Sequence, residues 1–263
     1  MQIKHENGVV YYKSDRINVP HAFSTRLGGV SKCEHTRSLN LAFGRGDEDS
    51  TVRDNLRRFC NAVGIDAESV VSMPQIHSSK VICVHTDMRG EGYFAPPSCK
   101  CDGYVTRERG VALGVKTADC TPILLCDEKN GVIGALHAGW RGTFLDICGE
   151  GVRAMCDIGA KTGDVVAVIG PSICQKCYEV GEDVYEAALA CMGSDADSFF
   201  VKKQGGKYLA DVRGANLYLL KRAGVRADNI EMIDVCTYEQ PELFWSHRYT
   251  NGERGTMLSV ITL

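Results

Sequence analysis

The stretch "HAGWRG", His137 to Gly142, crowds a histidine, a tryptophan and an arginine between glycines where the apolar run Gly131 to Leu136 ends. Read for packing alone, it is a turn whose glycines accept positive φ, with Trp140 filling an edge of the core. Read for chemistry, it is half of a pair. A second apolar run ends back at Cys120, and the turn-like "DEKN", Asp127 to Asn130, lies between the two. If the strands pair across a two- or four-residue loop, Cys126 lies opposite Gly131, Leu125 opposite Val132 and Cys120 opposite His137. Directly opposed residues share a face, with Cβ atoms roughly 4.5–5.5 Å apart. A thiolate and an imidazole at that separation can share one metal ion. A three-residue loop would break the alignment, and Pro122 weakens the ladder near Cys120.

A metal needs a third protein ligand. Of seven histidines, His77 in "PQIHSSKV" is the best placed, at a polar bend between two apolar segments. His5 and His35 lie in polar stretches, His85 closes a strand and His247 belongs to a C-terminal loop. A Cys/His/His set with one open position fits a catalytic zinc, which accepts both donor types and activates a bound water. Copper is compatible with the same donors. The same Cys–His pair also suits a thiolate nucleophile with an imidazole base.

The elements that must hold these residues read as a mixed set. "DSTVRDNLRRFCNAVG" predicts a helix, with Asp49 or Ser50 at its N-cap and Gly64 near its end. "SVVSMPQIHSSKVICVH" predicts two strands around the bend that carries His77. Helical spacing runs from Thr143 to Ile158, "DVVAVIGPSI" is a buried strand and "VGEDVYEAALACM" a helix. "LADVRGANLYLLKRAGV" is a further helix ending at Gly224, before the strand "IEMIDVCTY". Strands and helices interleave only in the second half, which argues for a mixed α/β domain and against a pure βαβ fold. No repeat or linker appears, and the loose stretch "RGEGYFAPPSCKCDG" marks no boundary, so residues 1–263 read as one domain.

Composition narrows the partners. The chain has 263 residues, 44% hydrophobic, with a formal charge of −3, so neither nucleic acid nor an anionic membrane is expected. No run of about 18 apolar residues occurs, and "MQIKHENGVVYYKSDR" lacks the apolar core of a signal peptide; a cytoplasmic protein is the expectation. Thirteen cysteines then sit in a reducing compartment. Cys83, Cys126, Cys148, Cys156, Cys191 and Cys236 read as small core residues. Cys174-x-x-Cys177 invites a reading as half a zinc knuckle, with Cys99-x-Cys101 as the other half.

The motifs "QIHSSKV", "TADCTPILL", "ALHAGWRGT", "GPSICQKCYEVG" and "DVRGANLYLL" follow one another as in the YfiH family, whose members carry the labels laccase-domain protein, polyphenol oxidase and purine nucleoside phosphorylase. "HAFSTRLGGVS", "LNLAFGRGDEDSTVRDN" and "FWSHRYTNGERGTM" extend the resemblance over nearly the whole chain. It implies an α+β domain with mixed β-sheets layered between helices in α-β-β-α order (CNF-like). It implies a zinc site at the histidine of QxH, the cysteine of ADC and the histidine of HAGWRG, here His77, Cys120 and His137. It implies phosphorolysis of adenosine, inosine, guanosine or methylthioadenosine to the free base and ribose 1-phosphate, with adenosine deamination at the same site. One departure stands out: relatives carry a segment like "SYRRDG-TGR", whereas here Tyr249 replaces one arginine and the last is displaced or missing.

That chemistry asks for a cationic phosphate site, and the planar fork of arginine suits it. Arg26 in "STRLGG" and Arg141 are the first candidates, with Arg248 behind them; chosen blind, Arg26 and Arg248 read as solvated surface arginines. Phe43 and Gly139 suit the base and ribose. Asp119, beside Cys120, either orients a ligand or relays a proton. The expected partners are purine nucleosides and phosphate, and the expected state a monomer. A laccase needs several His-x-His pairs, which the chain lacks, so copper-dependent polyphenol oxidation ranks below phosphorolysis. A Cys/His amidase acting on a peptidoglycan precursor is the other alternative.

Overall fold

The structure, a computed structural model, describes residues 2–263. Two six-stranded mixed sheets carry the fold. The first has strand order β1 (Gln2–Glu6), β2 (Val9–Lys13), β3 (His21–Ser24), β15 (Met257–Thr262), β7 (Ala112–Thr117) and β4 (Val70–Val71). The second runs β14 (Ile230–Met232), β10 (Val166–Ile169), β8 (Thr121–Asp127), β9 (Val132–Ala138), β6 (Gly103–Thr106) and β5 (Val81–Cys83). A small third sheet joins β11 (Glu179–Val180), β13 (Tyr208–Ala210) and β12 (Phe200–Lys202).

Period-two alternation sorts the strand residues into layers. Leu124, Cys126, Ile133 and Ala135 of the second sheet meet Tyr12, Phe23, Leu113 and Val115 of the first, between the sheets. Their neighbours Ile123, Leu125, Val132 and Leu136 point the other way, toward helices. Those helices are α2 (Trp140–Phe144), α3 (Ile147–Asp157), α4 (Glu182–Met192) and α5 (Val212–Arg222). On the far face of the first sheet, Val9, Tyr11, Val70 and Leu258 pack against Val52, Leu56 and Phe59 of α1 (Asp49–Val63). The order helix–sheet–sheet–helix is the expected one. Gly64 ends α1 in the left-handed region (φ 80°), donating to the carbonyls of Asn61 and Cys60. No helix among the described residues is long and apolar enough to cross a membrane.

Three local expectations change. The β8–β9 loop is Glu128 to Gly131, one residue later than predicted, because Asp127 stays in the strand and accepts from Asn130 N (3.1 Å) while Gly131 takes φ 63°. Sliding a four-residue loop by one residue moves the pairing by two, so His137 opposes Pro122 rather than Cys120. The parity survives, and Cys120 and His137 keep the same face. The helix expected from Thr143 to Ile158 breaks at Asp146, which adopts φ 60° and caps α3 by accepting from Gly149 N. Finally, the two strands around His77 belong to different sheets: β4 lies in the first and β5 in the second. The bend between them therefore crosses from sheet to sheet.

Candidate metal centre and active site

His137 continues the Ile133–Ala135 series on the inter-sheet face, at the end of β9. Cys120 immediately precedes β8, and the crossing bend brings His77 over both. One donor atom from each of the three lies within 4.8 Å of the others. The two imidazole rings meet edge to face, 4.9 Å between centroids. Gly139 closes the cradle: a Cβ there would lie 2.7 Å from His77 Nδ1 and 3.1 Å from Cys120 Sγ. Its φ of −70° is ordinary, so space rather than conformation demands glycine.

The organiser is Asp102, which sequence reading left in a loose loop. It is fully buried and its carboxylate accepts five hydrogen bonds. His137 Nδ1 (2.8 Å) and His77 N (2.9 Å) donate to Oδ1; Ile76 N (3.2 Å), Ser78 N (2.8 Å) and Ser78 Oγ (2.7 Å) donate to Oδ2. These bonds hold His77 at φ 58°, a left-handed conformation that costs a side-chain-bearing residue energy. The bond from His137 also keeps a proton on Nδ1, so that Nε2 is the nitrogen a metal would take. Burial would raise the Asp102 pKa, but the His137 and Ser78 donors outweigh it and hold the carboxyl at about 2. Burial would likewise lower His137, yet the Cys120 sulfur and Asp102 carry it up to about 9. Burial and the neighbouring His137 push His77 down. Two imidazole nitrogens and one cysteine sulfur, the histidines oriented by a buried carboxylate, form the donor set of a borderline-soft ion such as zinc.

Two cavities meet at this centre. The larger, of about 730 Å³, is lined by Phe43, Tyr93, Phe94, Pro96 and Pro97, with Arg53 and Lys116 among them. Desolvation brings half-buried Lys116 down to about 8. The smaller, of about 380 Å³, is lined by Arg141, Arg248, His247, Asp119, Gly139 and Tyr178. His77, Cys120, Arg45 and Arg254 line both. The larger carries Phe43, Tyr93 and Phe94 among its cations, the smaller four arginines beside Trp140 and Tyr178, and the donors sit on their border.

Most of the expected residues thus converge. Arg141 lies over the Trp140 ring (4.1 Å to the centroid), so the packing tryptophan also props the arginine at the cavity wall. Asp119, at φ 83°, accepts from Thr237 Oγ1 (2.6 Å) and from Arg248 N (2.7 Å). Both oxygens are engaged, one by Thr237 and the other by the Arg248 backbone. Arg26 is the exception. Its guanidinium donates to the carbonyls of Pro241 (2.6 Å) and Arg37 (2.9 Å) and stacks 3.8 Å over Trp245, and it lines neither cavity. The loop it was read from ties chain segments together instead.

Sequence reading missed Asp102, Arg45, Arg254, Tyr178 and Lys116. Arg45 stood inside "LNLAFGRGD" and Arg254 inside "SHRYTNGERG". The last arginine of that segment is not missing: Arg254 lines both cavities, braced by Thr256 Oγ1 (2.7 Å), while Tyr249 turns outward against Tyr238.

Residues 20–263 match the family described as multi-copper polyphenol oxidoreductase laccase. Over 256 residues the chain is 37% identical to a Deinococcus radiodurans protein named purine nucleoside phosphorylase, covering 97% of this chain and 94% of that one. It is 35% identical over 229 residues to adenosine deaminase RL5 from an unknown prokaryotic organism, covering 86% and 87% respectively. The crystal structure of the Bacillus licheniformis hypothetical protein YfiH matches with a TM-score of 0.93 at 29% identity, over 99% of this chain and 98% of that one. In sequence, fold and the order of its motifs, the chain belongs to this laccase-like YfiH family.

Proposed function

We propose that the chain, acting as one catalytic unit over its full length, is a zinc-dependent purine nucleoside phosphorylase that also deaminates adenosine. The observation that carries this reading is a Cys/His/His donor set where a cavity bearing Phe43, Tyr93 and Phe94 meets one bearing Arg141 and Arg248, with Arg45 and Arg254 on the shared wall. A flat purine suits Phe43 and Tyr93, whose ring centroids are 5.6 Å apart. Phosphate suits Arg141 and Arg248, joined by Arg45 and Arg254 from the shared wall. A phosphate oxygen would then bond to the anomeric carbon as the bond to the base nitrogen breaks. The base takes up the proton that the attacking phosphate gives up, and ribose 1-phosphate remains. Zinc held by His77, Cys120 and His137 would supply a Lewis acid. Asp119 acts as a positioning residue, through Thr237 and the Arg248 backbone. The names of the relatives support the class of reaction, and the one named adenosine deaminase supports the companion activity.

One further reading has its own observation. His137 lies between Cys120 and Asp102, the order of a Cys-His-Asp nucleophilic triad, which an amidase would use. Incubating holoprotein with inosine, adenosine, guanosine or methylthioadenosine, with and without phosphate, separates the two readings. Phosphorolysis requires base release that depends on phosphate, and phosphate-independent release would sink it. The amidase reading instead requires that alkylating Cys120 in chelator-treated protein abolish an amidase activity.

A further inference from the structure

A second cluster of soft ligands lies behind the smaller cavity. Cys174, Cys177 and Cys236 bring their sulfurs within 4.8 Å of one another, although sequence alone paired Cys174-x-x-Cys177 with Cys99-x-Cys101. Those two pack instead toward the core between the sheets. The true counterpart is Cys236-x-x-Glu239, brought alongside by the parallel bridge between Ser172 and Cys236. The Cys236 sulfur accepts the backbone amide of Cys174 (3.3 Å). Burial raises the Cys236 thiol, and the neighbouring backbone amides oppose that rise. Glu239 Oε1 lies 3.7 Å from Cys177 Sγ at the open side of the cluster. Cys174 and Cys236 are buried, Cys177 is half-buried and Glu239 is exposed, so an ion has a path in from solvent.

We propose that Cys174, Cys177 and Cys236, with the Glu239 carboxylate in the fourth position, form a second and structural zinc site. Three thiolates and a carboxylate from two turns of like spacing complete a closed tetrahedral set. Binding releases the three thiol protons to solvent and changes no oxidation state. The site clamps the two segments that build the cationic wall. Ile173 N donates to the Asp119 carbonyl (3.0 Å), Thr237 holds the Asp119 side chain, and the Tyr178 ring lies 5.0 Å from the Arg248 guanidinium.

The test uses whole protein purified under reducing conditions and dialysed against zinc. Native mass spectrometry is expected to find about two zinc ions per chain in the wild type and about one in Cys120→Ala, which lacks a donor of the first centre. Cobalt-loaded Cys120→Ala should then show thiolate-to-cobalt charge-transfer absorption, which Cys174→Ser in the same background abolishes and Glu239→Gln weakens. The Cys120→Ala arm probes the native cluster, so it stands even where a cluster variant does not fold. A Cys120→Ala protein that binds neither zinc nor cobalt overturns the site. So does an intact mass lighter by two hydrogens, the signature of a Cys174–Cys177 disulfide.

Discussion

Replacing Asp102 with asparagine tests the organisation of the centre more sharply than removing a ligand, because it keeps shape and takes away one charge. The carboxylate faces only donors, two at Oδ1 and three at Oδ2. An asparagine must turn its NH2 toward one side, and the count decides which. Its oxygen stays with Ile76 and Ser78, and the NH2 meets His77 N and His137 Nδ1. His137 then becomes an acceptor at Nδ1 and carries its proton on Nε2, where a metal needs a lone pair. The native carboxyl sits at about 2 rather than 3.8, a preference for the charged form of roughly 2 kcal/mol. One stranded amide adds about 1–3 kcal/mol. The expected result for Asp102→Asn is therefore a loss of roughly 3–5 kcal/mol in urea unfolding and a drop of about 10–100-fold in zinc affinity, the latter measured by competition with a chromogenic chelator. The sign with pH follows: a depressed carboxyl contributes its stabilisation above its unfolded value near 4 and loses it as pH falls toward 2. An Asp102→Asn protein that binds zinc within about twofold of wild type and unfolds at the same urea concentration would show that the Asp102 charge does not organise the centre.

Gly139→Ala should leave the fold intact, since its backbone is ordinary, but lower zinc content by pressing on His77 Nδ1 and Cys120 Sγ; metal analysis beside circular dichroism checks both halves. Arg141→Ala should raise the KM for phosphate about 10–100-fold at an unchanged zinc content. Arg26→Ala should instead lower the melting temperature and leave that KM alone, because its partners are the Pro241 and Arg37 carbonyls and the Trp245 face. In chelator-treated protein, His137 is raised to about 9, so its stabilising contribution is complete below its usual value near 6.5 and fades as pH rises through 9. Melting temperatures of wild type and His137→Ala across that window should converge at the alkaline end, and parallel curves would contradict the charged pairing.

The candidate ligands were legible because each stands at a strand's end or in the bend between two strands, and these breaks are visible in the pattern of apolar runs. The hairpin register was wrong by two residues and the pairing of faces right, since side-chain direction depends only on parity. Asp102 was invisible for a different reason. Its donors are mostly backbone amides of residues 76–78, and an amide leaves no signature in a sequence. Arg26 misled in the opposite direction, because an arginine satisfied by distant carbonyls reads like one free to bind phosphate. Asp146 broke a helix that apolar spacing alone predicted as continuous, a capping choice that periodicity cannot register. The laminar order of the domain came through the resemblance, which carries the long-range pairing of β15 with β3 and β7 that no local pattern encodes.

That pairing bears on how the chain is made. Strands β3 and β7 leave the ribosome long before residues 257–262, yet each waits on β15 for a neighbour. Until then both present open edges, the surfaces on which nascent chains pair with the wrong partner. Arg254 emerges just ahead of the same strand. Closing the sheet and completing the arginine wall are therefore one late event of synthesis, so a stalled or truncated translation product holds most of the chemistry of the enzyme and none of its finished site.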